Sequence, residues 1–185
     1  VPVSGGKDSA ALAIYLKMNY PELDPEYVFS DTQCELPETY EFLEKLEALL
    51  GKKIERINAL DYLNIEKKPN RNAFEIFLNE LYGGFLPSPR SRWCTGVLKI
   101  KPFEKYIGND TVYSYIGIRA DEDREGYIPK KPPRLSERPN IIPVYPFKDD
   151  EVNLFDVKRV LENSGLGLPE YYNWRSRSGC FFCFY

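Results

Sequence analysis

The chain is predicted to fold as an α/β domain, a mostly parallel sheet with helices on both faces. Two observations carry that reading. Short apolar strand segments alternate with amphipathic helical segments through the first half of the sequence. Polar clusters also follow directly on strand segments, at residues 4–9, 31–32 and 117–119. Open parallel sheets bind ligands beyond the carboxyl ends of their strands, so these clusters are expected to meet on one edge. The 185 residues suit one domain with a well-buried core. Residues 1–165 are expected to form its body, and residues 166–185 a cysteine-bearing terminal segment of the same domain.

Residues 1–3 read as the end of a buried strand and residues 8–20 as an amphipathic helix carrying Leu12, Ile14, Leu16 and Met18. Pro21 and Pro25 punctuate, and residues 26–30 form a second strand. Pro37 suits the first position of a helix running to Leu50, with Gly51 as its cap. Residues 53–57 are a third strand. Residues 73–82 read as a helix closed by Gly83 and Gly84, and a helix from Thr95 meets Pro102, which should interrupt or kink it. Residues 111–118 alternate as a strand. Residues 119–140 are charged and proline-rich, an ordered flap or a loop. Residues 151–163 make a last helix with Gly165 near its end.

Composition excludes several kinds of chemistry. With no histidine, imidazole acid–base catalysis, Ser-His-Asp triads and histidine-ligated zinc are ruled out. Catalysis must rest on cations, backbone amides, carboxylates, thiols or a bound metal. A net charge of −3 argues against a surface built as a whole to attract polyanions. No apolar run approaches the roughly 18 residues of a membrane span. Four cysteines are too few for a secreted disulfide scaffold of this length, which places the chain in a reducing compartment, the cytoplasm. A start at Val1, directly on a strand, is expected of the ordered part of a longer protein.

Residues 4–9, Ser-Gly-Gly-Lys-Asp-Ser, sit between a strand and a helix. Small residues let the backbone turn tightly and bring its N–H groups to an anion, and the helix presents its positive end to the same point. Lys7 adds a cation, and Ser4 and Ser9 add hydroxyls. Asp8 would repel a phosphate unless a cation bridges them, which suggests Mg²⁺. The spacing is not that of a Walker A loop.

These six residues resemble the signature of the PP-loop superfamily, the Rossmann-like adenine-nucleotide α-hydrolase fold. Its members cleave ATP between the α- and β-phosphates, and one branch instead binds adenylylated sulfate. Further segments resemble that phosphoadenylyl-sulfate reductase branch: Ser30-Asp31-Thr32 with Pro37-Glu38-Thr39; Trp93-Cys94-Thr95 with Leu98, Lys99 and Pro102; and Gly117-Ile118-Arg119 with Asp121, Glu122 and Arg124. The resemblance implies that Ser4, Gly5, Gly6, Lys7, Asp8 and Ser9 hold the phosphates of ATP. It implies that Phe29, Ser30, Asp31 and Thr32 flank adenine and ribose, and that Arg119 reaches the phosphates or a second substrate. Asp31 serves equally well as a turn or cap residue, and Arg119 and Arg124 as partners of nearby carboxylates.

Cys180 and Cys183 form a C-x-x-C, a spacing that serves one metal or one disulfide. With Cys94 they would make a three-thiolate site suited to a [4Fe–4S] cluster with one open iron, as in several sulfur-inserting PP-loop enzymes. Zinc would need Cys34 as a fourth ligand. Cys34 could instead accept sulfur, and all four could be buried thiols. The C-terminal Glu-Cys-Gly-[Ile/Leu]-His segment of true sulfate reductases is absent. The resemblance therefore points to compact ATP pyrophosphatases that work with a cysteine desulfurase, notably those of bacterial DNA phosphorothioation (Dnd and Ssp types). Such an enzyme would activate a backbone phosphate oxygen with ATP before sulfur replaces it. Arg90, Arg92, Lys99 and Lys101, with Tyr171, Tyr172, Trp174, Arg175 and Arg177, would offer DNA a cationic, aromatic surface or simply pack as loops. A reductase of adenylylated sulfate and a non-catalytic ATP-sensing subunit are the competing readings.

Overall fold

In the computed structural model of the protein, residues 1–122, 136–181 and 183 are described. The strands are β1 (Tyr27–Asp31), β2 (Ile54–Asn58), β3 (Val112–Tyr115) and β4 (Ile141–Val144). They run as two parallel pairs, β1 with β2 and β3 with β4. Register places Tyr27 opposite Ile54 and Ser30 opposite Ile57. Pro2 bridges to Val28, so the start of the chain lies beside β1.

The helices are α1 (Lys7–Asn19), α2 (Pro37–Leu50), α3 (Ala59–Tyr62), α4 (Ala73–Ile76), α5 (Lys101–Ile107), α6 (Pro146–Asp149) and α7 (Leu154–Asn163). Alternation along β1 distributes them over both faces. Tyr27 and Phe29 join an apolar cluster with α1, α2 and α7, built from Leu12, Leu16, Leu43, Leu46, Val157 and Leu161. Val28 points the other way, into a cluster with Ile57, Phe103 and Ile141. Parallel strands need cover on both sides, and this chain supplies it. No helix among the described residues is long and apolar enough to cross a membrane.

Several local choices follow from single residues. Pro37 occupies the first turn of α2, and Gly51 ends that helix in the left-handed conformation at φ 65°. Asn153 caps α7 and forms a reciprocal capping box with Asp156, so this helix starts three residues later than the expected residue 151. The helix expected over residues 73–82 is α for one turn only and continues as a wide π turn over Phe77–Leu81. The segment before Pro102 is likewise π, over Thr95–Ile100, and passes directly into α5. Proline lacks an N–H and its ring crowds the carbonyl four residues earlier. Here the helix widens ahead of Pro102 instead of breaking. Strand β4 was not anticipated, because Pro143 lies within it. Proline is tolerated where its missing N–H does not face a partner strand.

Candidate active site at the amino end of α1

The loop from Ser4 to Gly6 leads into α1, and short contacts fix it from several directions. Gly5 has φ +73°, and a Cβ there would stand 2.5 Å from Thr39 Cγ2 in α2, so only glycine fits. Ser9 Oγ receives the Ser4 backbone N–H at 3.0 Å, lies 3.1 Å from Ser4 Oγ, and donates to the Gly6 carbonyl at 3.2 Å. The first helical hydrogen bond runs from Ala10 N–H to Gly6 C=O, 3.1 Å. The amides of Lys7, Asp8 and Ser9 precede it and form the positive end of the helix.

Asp8 organises the charge. Its carboxylate accepts from Lys7 Nζ at 2.9 Å through one oxygen and from Arg119 Nη1 at 2.7 Å through the other. Arg119 also donates to Asp121 at 3.0 Å. Burial disfavours the Arg119 guanidinium charge, but the bonds to Asp8 and Asp121 outweigh it and hold its pKa above the usual value. The segment carrying Arg119 arrives from β3 and presses against α1. A Cβ on Gly117 would meet the Asp8 carbonyl oxygen at 2.9 Å. Two of the clusters read as one sheet edge therefore meet, joining Ser4, Gly5, Gly6, Lys7, Asp8, Ser9 and Arg119. Arg124 lies outside the described residues.

The third cluster is used differently. Phe29 is buried in the α1–α2 core, edge-on to Tyr40 at 6.3 Å, so its ring is not open to a ligand. Ser30 Oγ donates to the Lys99 carbonyl at 3.2 Å. Asp31 Oδ1 accepts from Gln33 N–H at 2.7 Å and Tyr40 O–H at 2.8 Å, a turn-forming arrangement with Gln33 at φ 58°. Thr32 is buried and donates to Glu35 Oε1 at 2.9 Å. Glu35, which sequence patterning did not single out, has a side chain 1% exposed and pairs with Lys99 at 3.5 Å. Burial works to lower the Lys99 pKa, but Glu35, then Cys180 and Cys94, outweigh it, and the net shift is upward.

All four cysteines are free thiols in or against one apolar cluster with Phe74, Phe77, Trp93 and Leu98. Phe181 N–H donates to the Cys34 carbonyl at 2.6 Å, and Cys183 N–H to that of Cys180 at 3.0 Å. Burial, followed by the neighbouring Cys180 and Glu35, pushes the Cys34 thiol up to about 11, a poor nucleophile near neutral pH. Thiol donors suit a soft metal. Among the described residues, however, no three His, Cys, Asp or Glu side chains are arranged to hold an ion. Asp8, read from the sequence as a Mg²⁺ ligand, has its two carboxylate oxygens on Lys7 and Arg119.

The C-terminal segment supplies neighbours that the sequence did not announce. Tyr171, 1% exposed, donates to the Gly5 carbonyl at 2.7 Å. Lys7 Nζ lies 5.3 Å from the centre of the Tyr172 ring. A Cβ on Gly6 would fall 2.5 Å from Ser178 Oγ. The aromatic run there suggested an open stacking surface, but Tyr171 turns inward. Of the cations assigned to a nucleic-acid face, Arg90, Arg92, Lys101 and Arg177 are exposed, Arg175 is half-buried over Trp174, and Lys99 is held by Glu35.

Known proteins are similar to this chain. An uncharacterized protein of Methanocaldococcus jannaschii is 28% identical over 189 residues, covering 99% of this chain and 35% of its own. An uncharacterized nin-region protein of Escherichia phage lambda is 29% identical over 160 residues, covering 76% of this chain and 51% of its own. The chain thus spans about half or less of these relatives' lengths. Among solved structures, the phosphoadenylyl-sulfate (PAPS) reductase of Candida auris, in a phosphate complex, superimposes with a TM-score of 0.63 at 15% identity. That match covers 98% of this chain and 80% of the reductase, and it establishes the α/β fold. The family model of the phosphoadenosine phosphosulfate reductase domain matches residues 1–183, and the chain belongs to that family.

Proposed function

We propose that the protein is an ATP pyrophosphatase that activates an acceptor oxygen for sulfur transfer. The observation carrying this reading is the pairing of Asp8 with both Lys7 and Arg119 at the amino end of α1. Two cations and a helix end converge there on a single carboxylate. A bound polyphosphate would take over the cations, leaving Asp8 to a metal ion. Mg²⁺ brought with the nucleotide would neutralise phosphate charge. Lys7 and the loop amides would then stabilise charge gathering on the pyrophosphate leaving group as the acceptor oxygen attacks the α-phosphorus. No histidine is needed.

A second reading, reduction of an adenylylated sulfate, is favoured by the family match. Both readings use the same phosphate loop. They differ in product, so incubation with ATP and Mg²⁺, and separately with adenylylated sulfate plus a dithiol reductant to supply the two electrons, separates them. AMP and pyrophosphate support the first and sulfite the second; ADP with free phosphate overturns both. As acceptor we favour a DNA backbone phosphate, with sulfur arriving from a cysteine desulfurase. The exposed Arg90, Arg92 and Arg177 suit a polyanion. DNA binding that does not weaken with salt, or is absent, removes DNA as the substrate of this chain.

A further inference from the structure

We infer that Ser178 is a phosphate-binding residue, a third hydroxyl beside those of Ser4 and Ser9 supplied by the C-terminal segment. This rests on the phosphate-loop reading above and extends it to a part of the chain more than 160 residues away. The position where a Gly6 Cβ would stand is 2.5 Å from Ser178 Oγ and 3.4 Å from Ser4 Oγ. Ser4 Oγ in turn accepts from Gly6 N–H at 3.4 Å and lies 3.1 Å from Ser9 Oγ. The hydroxyls therefore gather around Gly6, the residue that immediately precedes α1. An anion at the helix end meets them together with Lys7.

Other contacts hold Ser178 in place. Tyr171 anchors the segment by its bond to the Gly5 carbonyl. Tyr172 lies beneath the Lys7 ammonium, 5.3 Å from ring centre to nitrogen. On the far side, Cys180 is buried in the apolar cluster, and Phe181 N–H is bonded to the Cys34 carbonyl. Ser178 is thus fixed from both directions, which lowers the ordering cost of a contact with a bound anion. A side chain at Gly6 would have to displace Ser178, whose Oγ and Cβ stand 2.5 and 2.9 Å from the position of a Cβ there.

The test is titration of wild type, Ser178→Ala and Ser178→Thr with ATP–Mg²⁺ and with inorganic pyrophosphate, alongside melting temperature. A lost hydrogen bond to a charged group predicts roughly tenfold weaker binding of both ligands by Ser178→Ala. The melting temperature should fall by no more than a few degrees, since Ser178→Ala also gives up a hydrogen bond to Tyr171, and the hydroxyl of Ser178→Thr should restore both. Equal affinity of wild type and Ser178→Ala overturns the inference while leaving the phosphate-loop reading intact. Loss for ATP without loss for pyrophosphate also overturns it, placing the hydroxyl away from the phosphates. Failure of the wild type to bind either ligand overturns the phosphate-loop reading itself, and this inference with it.

Discussion

Tyr171 donates its hydroxyl to the carbonyl of Gly5, 2.7 Å away and 166 residues earlier in the chain. Both ends of that bond are buried, and burial first of all raises the phenol's pKa well above its ordinary value. Removing the hydroxyl leaves the Gly5 carbonyl without its partner, at a cost of about 1–3 kcal/mol. Tyr171→Phe should therefore unfold at lower denaturant concentration with an unchanged m-value, and should bind nucleotide more weakly because the loop loses its support. Urea unfolding measures the first effect and calorimetric titration the second.

Lys7 should matter for turnover and little for stability. It is paired with Asp8 at 2.9 Å, but Asp8 keeps Arg119 as a second partner. Lys7→Ala should lower the rate of pyrophosphate release about 100-fold or more, the scale of losing one preorganised charge donor. Its unfolding free energy should shift by less than about 1 kcal/mol. A pyrophosphate-release assay beside thermal unfolding checks both.

Arg119 spans two carboxylates, Asp8 at 2.7 Å and Asp121 at 3.0 Å. A lysine ammonium is a point charge and cannot reproduce that forked geometry. Arg119→Lys should weaken nucleotide binding about tenfold even though the charge is kept, as measured by the Kd for ATP. Unchanged affinity would reduce Arg119 to a scaffold for the segment after β3.

Glu35 and Lys99 form a pair whose acidic partner is 1% exposed. Taking away the cation strands a buried carboxylate that retains, among the described residues, the Thr32 hydroxyl. Lys99→Met should cost about 3 kcal/mol, the scale of breaking a buried pair. Adding Glu35→Gln should recover most of it, because the amide keeps the Thr32 bond without the charge. Chemical unfolding of the single and double variants gives the coupling directly.

Cys34 offers a pH signature. Its folded pKa is raised to about 11 from an ordinary value near 9, so the fold favours the neutral thiol. That contribution is fully present below pH 9 and is lost as pH rises toward 11. The stability difference between wild type and Cys34→Ala should shrink across that window. At pH 8, alkylation should reach the half-exposed Cys94 and Cys183 before Cys34, as peptide mass mapping would show.

The loop at residues 4–9 and its helix were legible because glycines, a lysine and an apolar helix follow a strand in a local pattern. Helix α2 was read to the residue, since Pro37 and Gly51 mark its ends chemically. Tyr171, Ser178 and Glu35 were not legible as site residues. Their importance comes from partners far along the chain, and nothing in Tyr-Tyr-Asn-Trp distinguishes an inward phenol from a stacking surface. Phe29 and Asp31 lie at the edge expected of them, yet the first is spent on the core and the second on a turn. Position along a strand predicts where a residue sits but not which of its neighbours will claim its side chain. The π segment ahead of Pro102 escaped for the same reason: a proline announces a disturbance without saying whether the helix bends, stops or widens.

Residues 178 and 180 lie too close along the backbone to move independently, since two residues of chain reach at most about 7 Å. One touches Gly6, and the other is packed among the thiols beneath Cys34. Any ligand that shifts the first displaces the second, and the linkage runs both ways. If nucleotide changes the affinity of the cysteines for a reversible thiol ligand by some factor, that ligand must change nucleotide affinity by the same factor. The C-terminal segment thus ties the loop at Gly6 to the cysteine cluster as a mechanical crossbar, and a measurement at either end reports on the other.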